Sequence, residues 1–175
     1  MHCNIILIGM PGSGKSTLGQ KLAQDLSYHF VDTDEVIMET FQDSLMHLIA
    51  KHGTSGFIQL EGSVISSLHT TQSVISTGGS AVYNANAMEY LKSIGFVIYL
   101  YHDVSELKGR VGNMTLRGVV CQRPCMTVED LFVERSPLYA QYADVVLDLT
   151  GKNVQECSEI LFAIVKDYTD TASIA

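Results

Sequence analysis

Residues 9 to 17 read Gly-Met-Pro-Gly-Ser-Gly-Lys-Ser-Thr, the spacing G-x-x-x-x-G-K-[ST], and they follow the apolar run Asn4 to Ile8. Strand, glycine-rich loop and helix in that order make a phosphate-binding unit. Gly9, Gly12 and Gly14 let the backbone take turns closed to residues with a Cβ, so several amide N–H groups can point at one anion. Lys15 supplies a charge for terminal phosphates and Ser16 a hydroxyl for Mg2+, while the helix that starts here directs its positive end at the same oxygens. Gly12, Ser13, Gly14, Lys15, Ser16 and Thr17 are therefore the candidate nucleotide-binding residues.

The 175 residues suit a single domain, 1–175, with one core. Hydrophobic residues at 46% and charged residues at 17% exclude a disordered chain. A net charge of -8 with no basic stripe argues against nucleic acid as a partner. The N-terminus enters the first strand without a basic leader, and no apolar run reaches about 18 residues, so neither a signal segment nor a membrane partner is expected and the chain reads as cytoplasmic. Cys3, Cys121, Cys125 and Cys157 read as reduced thiols. Cys121 and Cys125 have no second pair to complete a metal site.

Apolar segments alternate with helical patterns along the whole chain, which predicts β-α-β units and a parallel sheet. The expected strands are Asn4 to Ile8, Tyr28 to Asp32, Val74 to Ser76, Phe96 to Leu100 and Val145 to Asp148. Helices are expected over Ser16 to Asp25, Thr33 to Thr40, Ser44 to Lys51, Thr54 to Leu68, Ala85 to Ile94, Val104 to Val111, Val128 to Tyr142 and Val154 to Tyr168. Gly112 to Met126 shows no period and carries Arg117 and Arg123. It reads either as a mobile lid that closes over phosphates or as an irregular surface excursion with solvated arginines.

Ligands of open α/β sheets lie beyond the carboxyl ends of the strands. After the second strand come Asp32 and Asp34, two carboxylates suited to a metal shell and a substrate hydroxyl; helix capping is the alternative for one of them. After the third comes Thr77-Gly78-Gly79-Ser80, where missing side chains admit a ligand or simply make a tight turn.

With these residues in hand, the sequence resembles the shikimate kinases, a small group of P-loop kinases akin to nucleoside-monophosphate kinases. The likeness lies in the phosphate loop, Asp32-Thr33-Asp34, the glycine turn, Arg110 on the helix before the lid, and Glu134-Arg135-Ser136-Pro137-Leu138-Tyr139. It implies an α/β three-layer P-loop fold with a five-stranded parallel sheet of order 2-3-1-4-5, a substrate-binding helical region at about 33–62 and a mobile lid at about 112–126. It implies ATP-dependent phosphoryl transfer to a hydroxyl of a small molecule, shikimate first, by a monomer. By the same resemblance Lys15 and Ser16 handle ATP and Mg2+, Asp32 sits in the metal's outer shell, Asp34 holds the accepting hydroxyl and Arg110 lies by the adenine. Gly78, Gly79 and Arg135 face the substrate, Arg135 on its carboxylate. Arg117 matches the catalytic lid arginine, although Arg123-Pro124 aligns to the same feature.

Two departures stand out. Family members carry an arginine after the aromatic residue of the substrate helix, as half of a clamp on the shikimate carboxylate; here Phe57 is followed by Ile58 and Gln59. Ser80 replaces the third glycine of the turn. The first leaves a different polyhydroxylated acceptor open, and a nucleotide-binding module without transfer is a further alternative. A nucleoside monophosphate acceptor is disfavoured, because Glu35 to Leu68 holds one lysine and no arginine.

Overall fold

The computed structural model describes residues 4–111, 118–123 and 125–172. Asn4–Ile8 (β1) is buried along its whole length and occupies the centre of a five-stranded parallel sheet. The other strands are His29–Asp32 (β2), Ser73–Ser76 (β3), Gly95–Tyr101 (β4) and Val145–Asp148 (β5), in the order β2-β3-β1-β4-β5. Ile6 pairs with Ile75 on one side and Val97 on the other. Strand residues alternate between faces, so Ile5 and Leu7 pack against Lys15–Leu26 (α1) and Val154–Ala172 (α7) through Leu18, Leu22, Leu161 and Val165. Ile6 and Ile8 face the opposite way, towards Ala85–Ile94 (α4), Val104–Val111 (α5) and Val128–Tyr142 (α6), meeting Met88, Leu91, Leu107 and Tyr139. Burial on both faces explains the uninterrupted apolar run, and each such side chain contributes about 1.5–3 kcal/mol.

Thr33–Phe41 (α2) and Leu45–Ser66 (α3) stand over the carboxyl end of the sheet around a third cluster of Ile37, Leu48, Phe57, Ile58, Val64 and Val120. Gly53 breaks α3 with φ 70° and ψ 173°, at the boundary expected between two helices. Strand order and direction match the expectation, and strand ends differ by one residue or so. β2 starts at His29 because the Tyr28 N–H turns back to the Ala23 carbonyl at 2.8 Å and closes α1. A short 3-10 turn, Ala81–Tyr83, follows the glycine turn and was not expected. Of the proposed lid, residues 112–117 and 124, including Arg117, lie outside the described residues. The remainder is anchored: Val120 and Met126 are buried, and the Cys121 carbonyl accepts a hydrogen bond from Thr54 Oγ1 at 2.9 Å.

At the amino end of the sheet Asn4 is a buried polar tie. Its Nδ2 donates to the carbonyls of Thr70 (2.9 Å) and Ile94 (3.1 Å), and its Oδ1 accepts from the Ser73 N–H (3.1 Å). One side chain thus fixes the entries of β3 and β4 beside β1. Asn4→Ala strands those backbone groups, and urea unfolding is expected to show a loss of about 1–3 kcal/mol with an unchanged slope.

Candidate active site

The chain leaves β1 for β2 and β3 on one side and crosses to β4 and β5 on the other, which opens a crevice above the carboxyl end of β1. A cavity of about 470 Å³ lies there, bordered by the phosphate loop, Asp32, Asp34, Phe57, the glycine turn, Val119, Val120 and Arg135. Gly12 and Gly14 hold φ of 80° and 89°. Gly12 also presses against α5, since a Cβ there would lie 3.2 Å from Arg110 Cβ.

Lys15 is buried and donates from Nζ to the carbonyls of Gly9 (2.8 Å) and Met10 (3.0 Å). Burial lowers its pKa to about 8, against the raising influence of Asp34 and Asp32. Ser16 Oγ donates to Asp32 Oδ2 at 2.6 Å, while Asp32 Oδ1 accepts the Asp34 N–H at 3.0 Å. Asp32 is therefore both a helix cap and a partner of the loop serine, one oxygen for each. Asp34, mostly buried from water, has its pKa raised to about 6 by desolvation and then by Asp32, with Lys15 opposing.

The glycine turn is shaped by the site's own side chains. A Cβ on Gly78 would lie 2.3 Å from Glu61 Oε1 and 2.7 Å from Asp34 Oδ1; one on Gly79 would lie 3.0 Å from Arg135 Nη1. The Gly78 N–H donates to Thr33 Oγ1 at 3.0 Å, and Tyr139 donates to the Gly79 carbonyl at 2.6 Å. Arg135 is fully buried, donating from Nε to the Tyr83 hydroxyl (3.0 Å) and from Nη2 to the Val120 carbonyl (2.5 Å). It pairs with no carboxylate among the described residues.

Ser13, Gly14, Thr17 and Arg110 border a second cavity of about 390 Å³ with His102, Asn153, Val154 and Cys157, on the far side of the phosphate loop. Arg110 is held by Glu106 Oε2, 3.1 Å from Nη2, and its Nη1 is 3.3 Å from His102 Nε2. Arg123 is exposed and borders neither space, lining a separate cavity with Cys121, Cys125 and Met126.

The Shikimate kinase family model matches residues 11–166. The chain belongs to the shikimate kinase family. It is 32% identical over 174 residues to shikimate kinase 2 of Yersinia enterocolitica, covering 95% of this chain and 98% of that one. Identity to shikimate kinase of Haemophilus influenzae is 36% over 155 residues, 87% and 86% of the two chains. A solved shikimate kinase from Acinetobacter baumannii in complex with shikimate superposes with TM-score 0.82 at 30% identity, over 94% of each chain. As a family member the chain is an ATP-using phosphotransferase with an alcohol group as acceptor and a small-molecule substrate. Among the described residues no helix is long and apolar enough to cross a membrane.

The structure brings Lys15, Ser16, Asp32, Asp34, Gly78, Gly79 and Arg135 around one cavity, with Arg110 at its edge. Ile58 does not join them; it is buried in the cluster beneath. Glu61, Tyr83 and Tyr139 were absent from the candidates. Glu61 had a signal, a carboxylate among the apolar positions Phe57, Ile58, Val64 and Ile65 of α3. Gly78→Ala would drive a methyl group into two carboxyls, and kcat/KM measured by ADP release is expected to fall about 100-fold with unchanged circular dichroism.

Proposed function

We propose that this chain transfers the γ-phosphoryl group of ATP to a hydroxyl of shikimate, giving shikimate 3-phosphate. The observation that supports it most is a single cavity bordered by Lys15, Asp34 and Arg135 together, the arginine buried without a carboxylate partner among the described residues. The loop amides from Gly12 to Thr17 and the Lys15 ammonium bind the phosphates. Ser16 Oγ, a hard oxygen donor, would hold Mg2+ directly, and Asp32, whose Oδ2 already accepts the Ser16 hydroxyl, would serve it from the outer shell. Held there, the ion would supply charge neutralisation at the phosphate oxygens. No group of three His, Cys, Asp or Glu is needed for it, and none occurs among the described residues.

Asp34 orients the accepting hydroxyl. The transition state of phosphoryl transfer is loose, so a carboxylate ionised at neutral pH and fixed in place suffices. Arg135 takes the acceptor carboxylate, and Gly78 and Gly79 give a wall without side chains. The adenine fits the cavity beside Arg110. We assign Arg117 to the phosphates, because Arg123 borders a different cavity. The enzyme acts as a cytoplasmic monomer in this reading.

Position 58 favours a second acceptor class. Ile58 is packed among Ile37, Leu48 and Val120 and brings no charge, which suits a polyhydroxylated metabolite without a carboxylate at that end. A coupled ADP-release assay separates the two: shikimate-dependent ADP from the unaltered protein supports the first, whereas ADP only from Ile58→Arg supports the second. Lys15→Ala is expected to cut kcat at least about 100-fold. Arg135→Lys, which loses the planar fork, is expected to raise the acceptor KM about 30-fold or more and leave the ATP KM unchanged.

Lys15 carries a pH signature. Its pKa, depressed to about 8 in the free protein, rises towards 10.5 when phosphates surround the ammonium. Nucleotide binding should therefore take up a proton between those values, and ADP affinity should weaken as pH climbs through 8. Calorimetry in buffers of different ionisation enthalpy measures both.

A further inference from the structure

Glu61 has no part in the reaction above, yet it stands against the acceptor end of the cavity. It lies three residues after Ile58 on α3, on the same side of the helix, and is 1% exposed. Oε2 accepts a hydrogen bond from Ser80 Oγ at 2.6 Å. Oε1 is buried without a hydrogen-bond partner among the described residues and points at Gly78, where it converges with Asp34 Oδ1. No lysine or arginine forms an ion pair with Glu61 among the described residues. The groups that face it are Asp34 from α2, Arg135 from α6, Lys15 from α1 and the Ser80 hydroxyl. A carboxylate anion in that position would be a buried charge held by one hydroxyl and set against a second carboxylate, an arrangement folded proteins avoid by keeping the proton.

The two departures noted in the sequence meet at this side chain. Ile58 removes a cation from the same face of the helix, and Ser80 supplies a hydroxyl in its stead. We propose that Glu61 determines the charge of the acceptor site: paired with Ser80 and not with a cation at position 58, it remains a neutral carboxylic acid, so that Arg135 stays an uncompensated cation for an anionic acceptor. The proposal rests on the kinase reading above. Burial raises the Glu61 pKa to about 8, with Ser80 pulling it down and Asp34 pushing it up, so the acid form holds at neutral pH. With Oε2 taking the Ser80 hydroxyl, the proton belongs on Oε1, the oxygen that turns towards Asp34 Oδ1. Above that pH the ionised Glu61 competes for Arg135 and repels an acceptor carboxylate. Glu61 acts through Arg135 and is a positioning residue.

Two measurements on the full chain test this. Carbon-13 NMR of the glutamate carboxyls should show one resonance titrating near pH 8, absent from Glu61→Gln. Calorimetric titration of shikimate into protein kept saturated with ADP·Mg2+, so that the Lys15 effect on nucleotide binding does not enter, should give a shikimate affinity that is level from pH 6.5 to 7.5 and weakens about tenfold per unit well above 8. In Glu61→Gln the weakening should vanish, an outcome that a merely structural role would not produce. A Glu61 resonance titrating near 4.5, no shikimate binding at any pH, or an affinity with the same pH dependence in Glu61→Gln would overturn the proposal. The titration and the binding profile of the unaltered protein decide even if the variant fails to fold. Shikimate that binds in this pH-dependent way but yields no ADP from ATP would remove the kinase reading and leave the Glu61 role standing. Phosphorylated shikimate with a pH-independent affinity would do the reverse.

Discussion

Two buried cations that form no ion pair with a carboxylate among the described residues, Lys15 and Arg135, govern the arrangement of this molecule. Desolvating a charge costs several kcal/mol, and the fold offsets only part of it with neutral acceptors: the Gly9 and Met10 carbonyls for one, the Val120 carbonyl and the Tyr83 hydroxyl for the other. Both cations border a single cavity, so the site is electrostatically unfinished until anions enter it. That is the condition a kinase for an anionic acceptor needs. Binding two negatively charged ligands completes the interior instead of crowding it.

Such a site requires a scaffold that does not relax around the unpaired charge. β1 is gripped on both faces and by both neighbours, and Asn4 pins the far end of the sheet. Packing at this density transmits position, so the phosphate loop, Asp32 and the glycine turn leave adjacent strands at fixed separations. The turn is held in the same way: Thr33, Tyr139, Glu61 and Arg135 crowd it until only hydrogen fits at Gly78. Its glycines answer to close approach by the protein itself.

The carboxyl groups divide the work by environment. Asp32 is tied to Ser16 and the start of α2, while Asp34 is desolvated; the proposed function gives the first to the metal side and the second to the acceptor. Glu61 is deeper still, with a hydroxyl as its hydrogen-bond partner among the described residues. A gradient of burial thus separates three acids that composition alone would treat alike.

The sequence alone determined the phosphate loop, the parallel β/α alternation, both aspartates and Arg135, because each is carried by local spacing or by a resemblance in short motifs. The break at Gly53 and the bounds of α6 were legible for the same reason, glycine and capping signals acting within a few residues. Ser80, Ile58 and Glu61 were not legible as one unit. In the sequence Ser80 reads as a small residue in place of a glycine, and Ile58 as a missing half of a carboxylate clamp. Only the tertiary structure decided that the serine lies beneath α3 and gives its hydroxyl to the acid three residues past the isoleucine. Protonation and partnership depend on what converges from separate elements in low dielectric, and such convergence leaves no period in the chain.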